Sequence, residues 1–260
     1  DMKNLNAAIA NIGITYECMG KYKLALESND ELLDLAAAVG DRYMMSAAYC
    51  NRGVNYENMG YFEDAEKNYF ESMKISENIG DIEGNALMLR NIGSLYLSRN
   101  DYDRASIYLN KSLEISEKIN LEWNLLELYI VLIELNLIFY KLEWAEKFCN
   151  KLKNIVNKSD YDNSQKLNAY RNIIIFYKSK NNEEKIKAVE KTALLVQKIQ
   201  KTEDKAKISY QVAKMYYDMN NKNKTDKSIK IALEILNRIY SSQPKKMFKI
   251  LIDDLLKMKI

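Results

Sequence analysis

The strongest constraint on this 260-residue chain is a recurrence of about forty residues. Asn11-Ile12-Gly13 returns as Asn51-Arg52-Gly53 and again as Asn91-Ile92-Gly93, and Tyr16, Tyr56 and Tyr96 keep the same interval. Tyr22, Phe62 and Tyr102 follow it too, as do Ala25, Ala65, Ala105 and Ala145, and Gly40-Asp41 returns as Gly80-Asp81. Fainter copies run on through Tyr177, two periods beyond Tyr96, and Tyr216. A period in this range marks a stacked-repeat protein, in which no unit buries its apolar face alone and neighbours complete one another's core. Six units are expected, at 1–40, 41–80, 81–120, 121–160, 161–201 and 202–242.

Each unit reads as a pair of helices. Apolar residues recur at steps of three and four, as in Ile9, Ile12, Tyr16 and Met19. The break inside each unit is expected at Gly20, Gly60, Asn100, Asn181 and Asn220, residue types that tolerate the left-handed conformation closing a helix. Between units, Gly40-Asp41 and Gly80-Asp81 pair a helix-ending glycine with an aspartate suited to cap the next helix. Small residues at Gly13, Gly53 and Gly93, and at the alanine column, allow two backbones to approach. Pro244 to Ile260 reads as an amphipathic helix with Met247, Ile250, Leu251, Leu255 and Met258 on one side. As segment 243–260 it is expected to cover the open end of the stack, or else to begin a linker. The fold expected is all-α: a right-handed α–α superhelix of about six helix-turn-helix repeats with a C-terminal capping helix, the first helices lining the concave side.

Composition narrows the chemistry. With 8 Gly and 1 Pro the chain is neither turn-rich β nor disordered. It contains no His, which excludes imidazole-based triads and His-ligated zinc or haem. Cys18, Cys50 and Cys149 are scattered and odd in number, which suits a reducing, cytoplasmic setting rather than a disulfide framework. No basic segment leads into an apolar run at the start, and the missing initiating Met reads as a fragment or a processed form. The most apolar stretch, Leu125 to Tyr140, contains Glu127 and Glu134 and reads as a buried helix, not a membrane insertion. No phosphate loop, metal-spaced ligand set or paired carboxylates occur, so no catalytic residue, metal or cofactor is expected. The net charge of +3 conceals a polarity: residues 1–130 hold 12 Lys+Arg against 21 Asp+Glu, and residues 131–260 hold 27 against 15. Such a chain steers a charged partner or simply carries a lysine-rich solvated surface. With only Arg171 and Arg238 as arginines in the basic half, nucleic acid is not the expected partner.

The columns resemble the tetratricopeptide repeat. Its pattern is met by Tyr49, Gly53, Tyr56, Gly60, Phe62 and Ala65, nearly as well in the first and third units, and weakly after residue 120. The unit resembles the longer, forty-residue version of the repeat. Departures are Arg52 where the family has Leu, Ile133, Ile174 and Ala213 where it has Gly, and Asn136 in the Tyr column.

That resemblance implies which residues bind. In the family, the residue two before the glycine faces the concave groove, and here the column holds Asn11, Asn51, Asn91, Val131, Asn172 and Gln211. A carboxamide offers a donor and an acceptor, so a row of them can hold an extended peptide by its backbone. Arg90 and Arg171, one position earlier, would select acidic side chains or a terminal carboxylate. The competing role for the asparagines is hydrogen bonding between adjacent first helices, and for the arginines a solvated ion pair. The expected function is a non-enzymatic protein- or peptide-binding module, the sensory or scaffolding part of a bacterial regulatory protein. The alternative is an auxiliary repeat domain of a larger enzyme, such as a kinase or cyclase, whose catalytic part lies outside this chain. A purely structural or homo-oligomerising element is a third reading.

Overall fold

The computed structural model describes residues 2–156, 164–199, 202–242 and 246–258. Within them the chain is all-α, with no strand. The helices are α1 (Met2–Cys18), α2 (Tyr22–Ala38), α3 (Arg42–Met59), α4 (Phe62–Ile79), α5 (Ile82–Ser98), α6 (Tyr102–Lys118), α7 (Glu122–Ile138), α8 (Leu142–Val156), α9 (Ser164–Lys178), α10 (Asn182–Lys198), α11 (Thr202–Asp218), α12 (Lys222–Ser242) and α13 (Lys246–Lys257). Consecutive helices pack on one another in the manner of a tetratricopeptide solenoid. Two compact units divide the chain, one reaching Asn124 and the other starting at Leu125, so the division falls inside α7.

Short punctuation sets the helix ends. Gly20, Gly40, Gly60 and Gly80 all take positive φ, and Asn100, Asn120 and Asn220 do the same work with φ of 62°, 53° and 54°. Asn181 departs from the expected role: its φ is −90°, and it begins α10 instead of ending α9. Its side-chain oxygen accepts from the Glu183 N–H at 2.8 Å, an N-cap. Asp41 and Asp81 cap as expected, accepting from the N–H groups of Met44 at 3.1 Å and Gly84 at 2.9 Å. Asp101 caps α6 in the same way at 3.1 Å.

In the first unit, the repeated small residues buy close packing between the paired helices. A Cβ on Gly53 would stand 2.5 Å from the Tyr69 ring, and one on Gly93 would stand 2.6 Å from Cγ of Leu109. Ala25, Ala65 and Ala105 are wholly buried on the partner helices. Polar contacts also join the two helices of a pair: Ser46 Oγ of α3 lies 2.9 Å from both Ser72 Oγ and Ser76 Oγ of α4, and Ser112 Oγ of α6 donates to the Ala86 carbonyl of α5 at 2.7 Å. Arg52, where the family has Leu, forms an ion pair with Asp30 on α2.

In the second unit the pattern is altered. From Leu125 on, α7 is buried on nearly every side, as its apolar sequence requires. In α10 the buried series Val189, Thr192 and Val196 matches Leu109, Ser112 and Ser116 of α6, which puts Lys185 in the register of Ala105. Lys185 does not bury its charge there, and its ammonium stands 5.6 Å over the Phe176 ring. On α13 the buried side is Phe248, Ile252, Leu255 and Met258, packed with Ile229, Ala232, Leu236 and Ile239 of α12. Ile250 and Leu251 are only partly buried, so the seam is rotated from the expected one. Pro244 and the Met247 side chain lie outside what is described. Among the described residues, no helix is long and apolar enough to cross a membrane.

Candidate functional site

Every residue of the expected row lies on the first helix of a pair. Asn11 is on α1, Asn51 on α3, Arg90 and Asn91 on α5, Arg171 and Asn172 on α9, and Gln211 on α11. The carboxamides fall on a helix surface because the residue two positions after each, Gly13, Gly53, Gly93, Ile174 or Ala213, is turned into the core. Asn11 and Arg171 are exposed, and the others are partly buried.

In the first unit, the carboxamides are not equivalent. Asn91 Nδ2 donates to Cys50 Sγ on α3 at 3.8 Å, and Arg90 Nη2 donates to Asn91 Oδ1 at 3.5 Å. Asn91 is therefore engaged with a neighbouring first helix, the structural role that competes with ligand capture. Burial pushes the Cys50 thiol up to about 12, only partly offset by Arg90, so it stays protonated and unreactive at neutral pH. The side chains of Asn11 and Asn51 make no hydrogen bond among the described residues. Their backbone carbonyls accept from the Thr15 hydroxyl and the Asn55 amide.

In the second unit, Arg171 and Asn172 open onto two adjoining clefts. One, of about 300 Å³, is lined by Glu146, Cys149 and Asn150 of α8, by Arg171, Ile174, Ile175 and Lys178 of α9, and by Ser179 and Glu184. The other, of about 380 Å³, is lined by Asn172 and Ile175 of α9 and by Asn181, Glu183, Glu184, Lys187, Ala188 and Lys191. Ile175 and Glu184 belong to both. Ile174 stands where α3 and α5 have glycine, and Lys185 stands where α6 has alanine, so α9 and α10 lack the small residues that draw the earlier pairs together. Polar atoms around the clefts are partly used: Lys178 Nζ pairs with Glu146 at 2.7 Å, Ser179 Oγ donates to Glu184 at 2.6 Å, and Lys187 pairs with Glu183 at 2.6 Å. Neither Arg171 nor Asn172 has a hydrogen-bonded side-chain partner among the described residues, and Gln211 likewise has none.

A different side of α9 carries a polar brace that the sequence did not announce. Glu134 of α7 accepts from the Tyr170 hydroxyl of α9 at 2.5 Å and from Lys207 Nζ of α11 at 3.0 and 3.2 Å. Beside it, Lys166 and Asp204 form a largely buried pair at 2.7 Å. Burial raises the Glu134 carboxyl, but Lys207, Lys166 and the Tyr170 hydroxyl outweigh it and hold the group below the usual carboxylate range. Burial, together with the Glu134 charge, pushes the Tyr170 hydroxyl well up. Further along, the Tyr177 hydroxyl donates to Asp218 at 3.3 Å, and Tyr210 donates to Asp254 of α13 at 2.5 Å. At about 100° per residue, Lys166, Tyr170 and Tyr177 share one side of α9 and Arg171, Asn172 and Ile175 share another. The side turned towards α7 and α11 is thus held by the chain's own groups, and Arg171 and Asn172 look along α8 and α10. The only trace of this in the sequence is a glutamate inside the apolar run from Leu125 to Tyr140.

Among the described residues, no cluster of His, Cys, Asp or Glu could hold a metal ion. Residues 44–118 match the tetratricopeptide repeat family. No curated protein matches the sequence significantly. Solved structures share the fold. Aspartyl phosphate phosphatase F from Bacillus subtilis aligns with a TM-score of 0.75 at 16% identity, over 90% of this chain and 60% of its own. The Rap conjugation gene regulator of the plasmid pLS20, in complex with the Phr* peptide, gives 0.62 at 13% identity, over 95% and 71%. PilF from Pseudomonas aeruginosa gives 0.60 at 14% identity and covers 98% of each chain. The chain thus spans 60% of the length of the phosphatase structure.

Proposed function

Given that residues 44–118 are tetratricopeptide repeats, we propose that the chain is a non-catalytic peptide-binding module of a cytoplasmic bacterial regulator. Six repeats over 1–242, closed by a helix within 243–260, would form the binding scaffold. The observation that carries this reading is the pairing of Arg171 and Asn172 on adjoining clefts, neither having a hydrogen-bonded side-chain partner among the described residues. A peptide lying along α9 would meet the Asn172 carboxamide with a backbone amide and the Arg171 guanidinium with an acidic side chain or its terminal carboxylate. Ile174 and Ile175 supply an apolar floor for a side chain. Gln211, Asn51 and Asn11 offer further carboxamides for backbone capture. Asn91 contributes less, because Cys50 and Arg90 already occupy it. The pLS20 regulator was solved with a peptide bound, which supports a peptide as the class of ligand.

The test is a screen of an immobilised library of short peptides, followed by titration of the best binder. Asn172→Ala is expected to weaken that binder by about fivefold, the worth of one hydrogen bond near 1 kcal/mol, and Asn91→Ala by less. Arg171→Ala should cost more for peptides ending in a free carboxylate than for their amidated forms. Equal affinity in all three variants would reject the reading.

A further inference from the structure

We propose that the two clefts beside α9 form one groove that takes a short free peptide by both ends, its ammonium at Glu184 and its terminal carboxylate at Arg171 and Lys191; this rests on the peptide reading above and adds a direction and a length to it. Ile175 and Glu184 line both clefts, so the two are continuous. Helices α9 and α10 are joined by only Ser179, Lys180 and Asn181, and so run antiparallel. The hydrogen bond from Ser179 Oγ to Glu184 at 2.6 Å fixes their register at the turn. Counting away from it along both helices, by one step of four residues and one of three, brings Ile175 level with Ala188 and then Asn172 level with Lys191. Arg171 stands beside Asn172 at that far end, on the side of α8.

Charge is ordered along these levels. Four of the ionised groups are matched in place, Lys178 with Glu146 and Lys187 with Glu183. Three are not. Glu184 receives the Ser179 hydroxyl but has no ion-pair partner among the described residues, and neither have Arg171 and Lys191. At the turn the carboxyl end of α9 meets the amino end of α10, and their opposite dipole ends offset one another. One unmatched anion at the turn and two unmatched cations at the far end are the complement of a free peptide, which carries a cation at one terminus and an anion at the other near pH 7. The span agrees. Lys191 stands seven residues of helix beyond Glu184, a rise of about 10 Å, and an extended peptide of about three residues has that length. Between the charged ends, Ile175 and Ala188 offer apolar surface to a middle side chain, and the Asn172 carboxamide is level with the last peptide unit. A longer segment passing through would match the same groups only by carrying a basic and an acidic side chain at that spacing.

The probe is a soluble mixture of tri-, tetra- and pentapeptides with both ends free, offered to the full chain, with the retained members identified by mass. The tightest of them, remade with its amino group acetylated, should bind about fivefold more weakly, and remade as the carboxamide should lose about the same. A peptide tethered through its amino end gives up one of these contacts and keeps the rest. Glu184→Gln, which preserves an acceptor for Ser179, should remove the acetylation penalty alone. Lys191→Met should narrow the amidation penalty alone. Two glycines added at the carboxyl end should cost as much as amidation. Free and blocked forms of equal affinity, with Asn172→Ala still weakening both, would overturn end recognition and leave peptide binding standing. An amidation penalty that Glu184→Gln removes would reverse the direction and equally overturn the proposal. Retention of no peptide at all would overturn the peptide reading and end recognition together.

Discussion

A single column shows what one residue does to a helix pair. Tyr69 lies beneath Gly53 and Leu109 lies beneath Gly93, and Asn29 occupies the corresponding place beneath Gly13. Asn29 is almost wholly buried, and neither polar atom of its carboxamide has a hydrogen-bond partner among the described residues. An unpaired buried carboxamide costs more than it returns, whereas an apolar group of similar size in the same place costs nothing in lost hydration. Asn29→Leu is therefore expected to stabilise the chain by about 1 kcal/mol, read as a higher urea midpoint with an unchanged slope. A lower midpoint would mean that the carboxamide has a partner that the geometry does not reveal. The glycines of this column could be read from the sequence, because a missing Cβ leaves a gap that recurs every forty residues. The asparagine beneath one of them could not, because burial of a polar residue depends on the helix opposite.

The same division between local and distant causes runs through whole elements. Helix ends are local, and most of them were legible: positive φ at the glycines, caps at Asp41 and Asp81. Asn181 was misplaced by a single function, since asparagine both ends and begins helices and only the geometry tells which. The α13 seam was read from apolar spacing alone, and Phe248 and Ile252 take the core because α12 lies on that side. Not every start is capped. Lys21 precedes α2 with no side-chain hydrogen bond to the helix, where Asp101 precedes α6 with one. Lys21→Asp would supply the missing acceptor and replace a cation at the positive end of the helix dipole, a gain of about 1 kcal/mol. Asp101→Ala should lose about the same. Thermal melts of the two variants, shifting in opposite directions, check both halves; a downward shift for Lys21→Asp would show that the α2 start is held by something other than its cap.

Across the molecule, stability in a stacked repeat is a sum of near-neighbour terms, and a local change should be felt only nearby. The brace at Glu134 tests this, because it ties α7 to α9 and α11, residues too far apart in sequence for any repeat pattern to foretell. Glu134→Gln removes the charge that Lys207 faces while leaving an oxygen for Tyr170, and should cost about 2 kcal/mol at neutral pH. The pH dependence follows from the depressed carboxyl. Its contribution is complete above the ordinary carboxylate value, where the unfolded chain is also ionised, and disappears as pH falls through the lower value of the folded state. The stability gap between the native chain and the variant should accordingly close as the solution is taken below about pH 4. Amide exchange gives the spatial half of the same test. In Glu134→Gln, protection should fall across α7, α9 and α11, with α3 to α6 unchanged. Loss of protection spread evenly over both units would mean that the chain unfolds as one cooperative body, and the neighbour-by-neighbour description of its repeats would have to be given up.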